Sequence, residues 1–535
     1  MSGARAAVAG LLALAAAWSQ PASRERLAEP EPNWSPPGPH GLRVAAPVPL
    51  PALQTAAGAS NPTIARWQAS VARSPSNGFA WRQLADACVA AGLYAQAVEA
   101  YRKEAASYRA KGDVNAALIE EAKANGWDAR AVLHRREVVH AVKRAGAKFE
   151  PPFGCYLGAT VEVDPRVRGN YARFAELTGR SHAIYFDYCH YGQRFPREWA
   201  ARAKAAGAAL QIAWEPNNGL DRVRDDAYLQ QFAQDAAAAG LPIFLRYACE
   251  MNGDWTAWSG NPARFIASWR TVAGVIRRLA PNVAMVWAPN ALPEANIPSF
   301  YPGDEWVDWV GINFYAVHHH DNDPKRPALR EDPSDQLAFV YRRYAERKPI
   351  MVCETAATHF CAACGKDVAE FGADKLSQLY SALPRRWPRV KAVCWYDIDN
   401  LSNAGARVER RSNNFSLTDH ATILNTYRHQ VAGGYWLSRV VTDGTQAEAV
   451  RYVALAAGAA LSGKVRLSAW VRAWHDRPTV VWRVDGVAQA ASRQRPYEAE
   501  WDLAKAKPGP HALEALVVVD GQVAARETVK VTVGG

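Results

Sequence analysis

Beyond its N-terminal segment the 535-residue chain has no run of about 18 uninterrupted apolar residues, so no membrane-spanning helix is expected past a leader. It also has no block of clustered Lys and Arg and no nucleic-acid-binding motif, although its formal charge is +11. Scattered basic residues describe a solvated surface, and no nucleic-acid partner is expected; an anionic polysaccharide is the acidic partner that the charge leaves open. A second CxxC pair is missing too. Cys361-Ala-Ala-Cys364 stands alone, too little to define a four-cysteine zinc site, and is expected to form a local disulfide. Five other cysteines (Cys155, Cys189, Cys249, Cys353 and Cys394) fall in or beside apolar strand-like runs, where a thiol packs as a small hydrophobe. Charged residues make up 21% and hydrophobic residues 49%, the balance of a folded globular protein.

What is present changes character along the chain. Residues 1–23 combine Arg5, an apolar run from Ala6 to Ala17, and small residues at Ala22 and Ser23. That is the build of a secretory signal peptide, and the chain is expected to be exported to the periplasm, the cell surface or the medium. Residues 24–60 are rich in Pro and small residues with no amphipathic period, which predicts a linker. Residues 61–147 read as helical. Trp81, Leu84, Ala85, Cys88, Gly92, Ala97 and Tyr101 follow a spacing that resembles a tetratricopeptide repeat, which implies either a docking surface for a protein partner or a helical spacer.

From residue 148 to 432 short apolar runs alternate with amphipathic helical stretches, the pattern of parallel strands joined by crossover helices. Eight such runs lie at 154–160, 182–187, 209–214, 243–249, 283–287, 307–315, 350–353 and 390–395. Eight strands over this length predict an α/β fold, a (β/α)₈ TIM barrel. Residues 433–461 are expected to be a second linker. Residues 462–535 turn to strand alternation with Asp485-Gly486 and Asp520-Gly521 turns, which predicts a small β-sandwich similar to immunoglobulin-like modules, with Trp470, Trp474 and Trp482 mostly in its core.

The strand ends carry the chemistry. Leu241-Pro-Ile-Phe-Leu-Arg-Tyr-Ala-Cys-Glu250 and Lys348-Pro-Ile-Met-Val-Cys-Glu354 each deliver one carboxylate out of an apolar run. On the strand count Glu250 follows the fourth strand and Glu354 the seventh, across the barrel mouth from each other, where two carboxylates can flank one glycosidic bond. The chain has twenty Trp, and flat amphipathic rings suit sugar-binding clefts. The residues expected to touch substrate are His190, Trp214, Asn252, Trp255, Trp258, Trp287, Asn313, Tyr315, Trp395 and Asp397. Arg246 is either a group that orients a carboxylate or a buried ion-pair partner inside the barrel.

Glu250-Met-Asn-Gly-Asp-Trp255 together with Glu354 resembles glycoside hydrolase family 26 over residues 151–425. The resemblance implies a retaining (β/α)₈ enzyme, most often an endo-β-1,4-mannanase, with other members acting on β-1,3-xylan or mixed-linkage β-glucan. It implies that Glu250 is the general acid/base and Glu354 the nucleophile, that Tyr315 hydrogen-bonds the nucleophile, and that Trp255 and Trp395 are subsite aromatics. The family usually has His immediately before the acid; this chain has Cys249, a poor hydrogen-bond partner, which weakens the expectation of mannan. No cofactor and no metal are expected: His318-His-His-Asp-Asn-Asp323 is read as a substrate-contacting or structural loop. Rival readings are a hydrolase of a bacterial exopolysaccharide and a catalytically silent carbohydrate-binding scaffold.

Overall fold

The computed structural model describes residues 61–143, 146–403, 411–442 and 445–534. The expected signal peptide and the expected first linker lie outside them. The chain divides into two compact units, one holding residues 138–329 and 333–451, the other the helices and strands before 138 and after 451 together with residues 330–332.

The first unit is a closed parallel barrel. Its strands are β1 (Cys155–Thr160), β2 (Ile184–His190), β3 (Ala209–Glu215), β4 (Ile243–Tyr247), β5 (Val283–Trp287), β6 (Trp309–Ala316), β7 (Ile350–Ala357) and β8 (Val390–Tyr396). Neighbours pair in order, and β8 pairs back onto β1 with Ala392 opposite Tyr156 and Tyr396 opposite Thr160. All eight predicted strands are there. Their residues are almost continuously buried, as strands covered on both faces must be.

Inside the barrel, Tyr156, Ile184, Phe186, Phe244, Val286, Trp309, Met351, Cys353 and Cys394 pack into one cluster. The end where strands begin is closed by the segment around Lys148: Trp309 Nε1 donates to the Lys148 carbonyl at 2.7 Å, and Tyr156 Oη donates to the Phe149 carbonyl at 2.9 Å. Higher in the barrel the residues are small. A Cβ on Gly158 would meet Cys394 Sγ at 2.5 Å, and one on Gly311 would meet Cys353 Sγ at 2.5 Å. This thin layer leaves the barrel's centre to the fully buried guanidinium of Arg246.

Helices follow most strands, and their apolar stripes face the barrel; Pro262–Leu279 starts with a capping Asn261 and buries Phe265, Trp269, Val272 and Ile276. After β5 two 3₁₀ turns, Glu294–Phe300 and Asp304–Trp306, stand in place of a helix.

The second unit begins with four helices: Pro62–Arg73, Gly78–Ala90, Tyr94–Ala110 and Val114–Trp127. They share a core of Leu84, Cys88, Ala97, Val98 and Tyr101. The expected helical module extends to 147, but the structure ends it at Trp127. Arg130–Lys143 is a strand, antiparallel to Lys464–Arg472 with Arg130 opposite Arg472 and Arg136 opposite Arg466. The reason is local: Ala131 and Leu133 alternate with the exposed Arg130 and Val132 and enter the sandwich core, a period of two that the surrounding Arg and His residues disguise as amphipathic helix.

The expected linker at 433–461 is corrected as well. Trp436–Leu437 pairs with the start of β1, and Thr445–Ala454 joins the sheet that contains Arg130–Lys143. The sandwich therefore has a four-stranded and a five-stranded sheet around a core that includes Trp482.

Candidate active site

Glu250 leaves β4 through a tight turn in which Ala248 (φ 48°) and Glu250 itself (φ 58°) adopt left-handed backbone. Non-glycine residues held there cost of order 1–3 kcal/mol each and persist only where the surroundings fix them. Here two backbone bonds do so: Ala248 N–H donates to the Trp214 carbonyl at 2.9 Å and Glu250 N–H to the Ala288 carbonyl at 2.8 Å, stitching the turn to β3 and β5. The carboxyl group is thereby aimed inward and is 1% exposed.

Three donors converge on it. Asn313 Nδ2 (2.8 Å) and Asn290 Nδ2 (3.1 Å) donate to Oε1, and Trp255 Nε1 donates to Oε2 at 2.9 Å. Burial, and then the nearby charge of Glu354, push the carboxyl up to about 7 despite these bonds. Glu250 is therefore poised to exchange a proton near neutral pH.

Glu354 has the opposite setting. It sits on β7 directly opposite Asn313 of β6, and its carboxylate is ion-paired with Arg246 Nη2 while Tyr315 Oη donates to its other oxygen at 2.6 Å. Arg246 Nη1 donates to Asn313 Oδ1 at 3.1 Å. An unbroken chain thus runs Glu250, Asn313, Arg246, Glu354, Tyr315. One amide fixes the acid with its nitrogen and the arginine with its oxygen.

A third carboxyl group, Glu215 at the end of β3, lies within electrostatic reach of Arg246, Glu354 and Glu250 and is pushed up to about 7, chiefly by burial. Asn217 Nδ2 donates to its Oε2 at 3.4 Å, while Oε1 has no hydrogen-bond partner among the described residues. His190 Nδ1 stands 3.8 Å from Glu215 and against Asn217, which places His190 at the rim beside it. Cys249 is wholly buried near Arg246 and all three carboxyl groups, and burial pushes its thiol well up, so it is a neutral packing group there.

Several residues expected to touch substrate do not face the mouth. Trp214 stacks on Phe232 of the helix Ala227–Ala239 at 3.9 Å, Trp287 packs edge-on against Tyr301 and Tyr344, and Trp395 lies beside Tyr380 and Tyr427 with its Nε1 on the Phe415 carbonyl. All three are at most 1% exposed, outside the barrel wall, because their strand neighbours take the inward positions. Trp258 is buried with its Nε1 on the Cys249 carbonyl at 2.7 Å. Asn252 spends its amide on the Asn290 and Pro293 carbonyls and on Asn290 N–H, so it positions Asn290 rather than a sugar. Asp397 is buried beside Asp164, accepts from Leu417 N–H, and is held well above the usual carboxyl range by burial and then by Asp164. It anchors the segment around Leu417. Trp255 is half-buried, with its Nε1 bonded to the Glu250 carboxyl.

Arg246, read as either a group that orients a carboxylate or a buried ion-pair partner, is both, and Asn290 and Glu215, at strand ends as the others are, join the site without having been among the residues expected to touch substrate. The expected disulfide is absent: Cys361 and Cys364 are free thiols 3.5 Å apart. Their neighbours are His318 and His319.

Residues 211–325 match the family model described as glycosyl hydrolase family 26. Endoglucanase H of Acetivibrio thermocellus is 27% identical over 303 residues, 52% of this chain and 31% of that protein. Beta-1,3-xylanase TXYA of a Vibrio species is 36% identical over 117 residues, 20% of this chain and 25% of that one. A GH26 beta-mannanase structure from Bacteroides ovatus aligns at 14% identity with a TM-score of 0.38, covering 54% of this chain and 90% of that one. The chain thus spans about a third or less of the curated relatives it matches.

Proposed function

We propose that the barrel is a glycoside hydrolase of family 26, supported by the match of residues 211–325 to that family's model and by the sequence relatives, and that the chain hydrolyses a β-linked polysaccharide with retention of anomeric configuration. The observation that carries the reading is the asymmetry of the two carboxyl groups. Glu250, buried and raised to about 7, is built to hold and release a proton; Glu354, ion-paired to Arg246 and bonded by Tyr315, is built to present a fixed negative charge. In the first step the Glu250 proton passes to the glycosidic oxygen as that bond breaks, and Glu354 forms an ester to the anomeric carbon. In the second, Glu250 takes a proton from water, the water oxygen attacks the anomeric carbon, and Glu354 leaves. Asn313 and Arg246 keep the two groups in register, which limits the reorganisation needed at each step.

The substrate is proposed as a β-glycan of the mannan, glucan or xylan type, cut internally. β-1,4-Mannan is the family's commonest substrate, whereas the sequence relatives are named for glucan and β-1,3-xylan, and the neutral thiol of Cys249 supplies no imidazole donor beside the acid. A bacterial exopolysaccharide is the second reading, favoured by the same cysteine. Secretion is proposed from residues 1–23, and a protein partner for residues 61–127 from their helical hairpins. New reducing ends should appear on at least one of β-mannan, mixed-linkage β-glucan and β-1,3-xylan, with the β-anomer formed first by NMR, and should vanish in Glu354→Ala. An α-anomer as first product would overturn the mechanism; no turnover of any β-glycan would favour the silent scaffold.

A further inference from the structure

We propose that His318, His319, Cys361 and Cys364 form a structural zinc site that pins the loop after β6 to the loop after β7. The four potential ligand atoms lie within 4.8 Å of one another. The sulfurs are 3.5 Å apart, Cys361 Sγ is 3.6 Å from His319 Nδ1, Cys364 Sγ is 3.4 Å from the Nδ1 of each histidine, and the two Nδ1 atoms are 3.1 Å apart. A tetrahedral zinc with ordinary Zn–S and Zn–N bonds requires edges of about 3.8 Å for S–S, 3.6 Å for S–N and 3.3 Å for N–N. These five of the six edges fall within about 0.3 Å of those figures, and the sixth, from Cys361 Sγ to His318 Nδ1, lies within the 4.8 Å that spans the set and closes to about 3.6 Å as the ion enters.

Hydrogen bonding alone explains the cluster less well. Two imidazole nitrogens facing each other at 3.1 Å need a proton between them, and the same two nitrogens also face thiols, so several acceptors compete for few protons. A cation satisfies all four lone pairs at once. Binding releases the two thiol protons to solvent, leaving two thiolates and two neutral imidazoles on Zn²⁺.

The backbone is shaped to present these atoms. Cys361 and Cys364 lie on a hairpin between Phe360–Cys361 and Lys366–Asp367, turned by Gly365 at φ 61°, with Cys364 N–H donating to the Cys361 carbonyl at 3.3 Å. Asn322 Oδ1, from the histidine loop, accepts from Ala363 N–H at 2.7 Å and holds the hairpin against that loop. Phe371 packs edge-on to His318. With four protein ligands and no open position the ion would be structural. Its place gives it a role: His318 follows Tyr315 by three residues, and the hairpin follows Glu354, so one ion would fix both chain segments that hold the nucleophile and its hydroxyl partner.

The test uses the full chain. After reduction, incubation with ZnCl₂ and gel filtration, metal analysis should find one zinc per chain, and Cys361→Ser/Cys364→Ser should retain less than a tenth of it. Cobalt loading of the unmodified chain should give the thiolate charge-transfer absorption and the visible bands of a tetrahedral dithiolate site, a readout that survives if the double variant fails to fold. Amide exchange over residues 317–328 and 360–366 should slow at least tenfold on loading. Substoichiometric zinc in the reduced chain, or a cobalt spectrum without the charge-transfer band, would overturn the proposal.

Discussion

Replacing Glu250 by Gln separates the charge of the acid from its shape. The Glu250 carboxyl titrates at about 7 in the folded chain against 4.5 ordinarily, mainly because it is buried and then because Glu354 is charged nearby. The folded state therefore binds this proton more tightly than the unfolded chain. Native stability from this group is greatest below pH 4.5, declines as the pH rises through about 7, and is level above it. The shift corresponds to about 3 kcal/mol of burial and repulsion carried by the ionised form. Gln has no charge to bury, so the stability of the variant relative to native should rise by about that amount between pH 4.5 and pH 8. A constant penalty is superimposed: three N–H donors converge on the carboxyl oxygens, and Gln offers one oxygen, which leaves a donor facing an amide at a cost of about 1–3 kcal/mol. Urea unfolding followed by tryptophan fluorescence at several pH values measures both parts. A difference between variant and native that stays flat across this range would refute the reading that Glu250 is a buried, raised acid, whatever happens to activity. If the reading holds, kcat/KM of the native chain falls tenfold per pH unit above about 7, because the first step needs the proton in place.

Tyr315→Phe keeps the ring against Tyr396 and Phe415 but removes the bond to Glu354, and kcat should drop about 10²-fold with KM changed less, read by initial rates on a soluble glycan. Arg246→Met leaves the Glu354 carboxylate buried without its cation and should destabilise the barrel by about 3–5 kcal/mol in urea titrations. Cys249→His should raise activity on β-mannan at least tenfold relative to the other glycans if an imidazole beside the acid recognises a manno-configured sugar; an unchanged preference would mean that the position only packs. Ending a barrel fragment at residue 432 removes Trp436, whose ring packs on Tyr380 and whose carbonyl accepts from Arg180, and should lower stability by about 3–5 kcal/mol relative to a fragment ending at 442.

The barrel was readable because its strands are apolar on both faces and each ends in a polar residue, so runs and their ends could be counted without knowing their neighbours. The same counting marked Glu250 and Glu354. Pairings across the chain were not available that way: the alternation of Ala131 and Leu133 makes sense only beside Lys464–Arg472, and His318 and His319 meet Cys361 and Cys364 only after β6 and β7 are laid side by side.

The tryptophans failed for a different reason, one that the sequence contains. In a barrel strand alternate residues face opposite ways, so a single inward residue fixes the rest. Arg246, a lone charge in an apolar run, must point to its partner inside, and through the pairing of Ala213 with Arg246 the parity passes to β3: Gln211, Ala213 and Glu215 face in, and Trp214 is forced out onto Phe232. The same argument puts Ala392, Cys394 and Tyr396 inside and Trp395 outside, and Val286 and Ala288 inside with Trp287 outside. Each of these tryptophans has at least one small inward neighbour, Ala213, Ala288 or Cys394, where the interior leaves room for Arg246 and the carboxyl groups around it. A tryptophan next to an inward-facing position at a strand end therefore marks the helix-facing wall, whereas Trp255, on the loop after β4, reaches the Glu250 carboxyl.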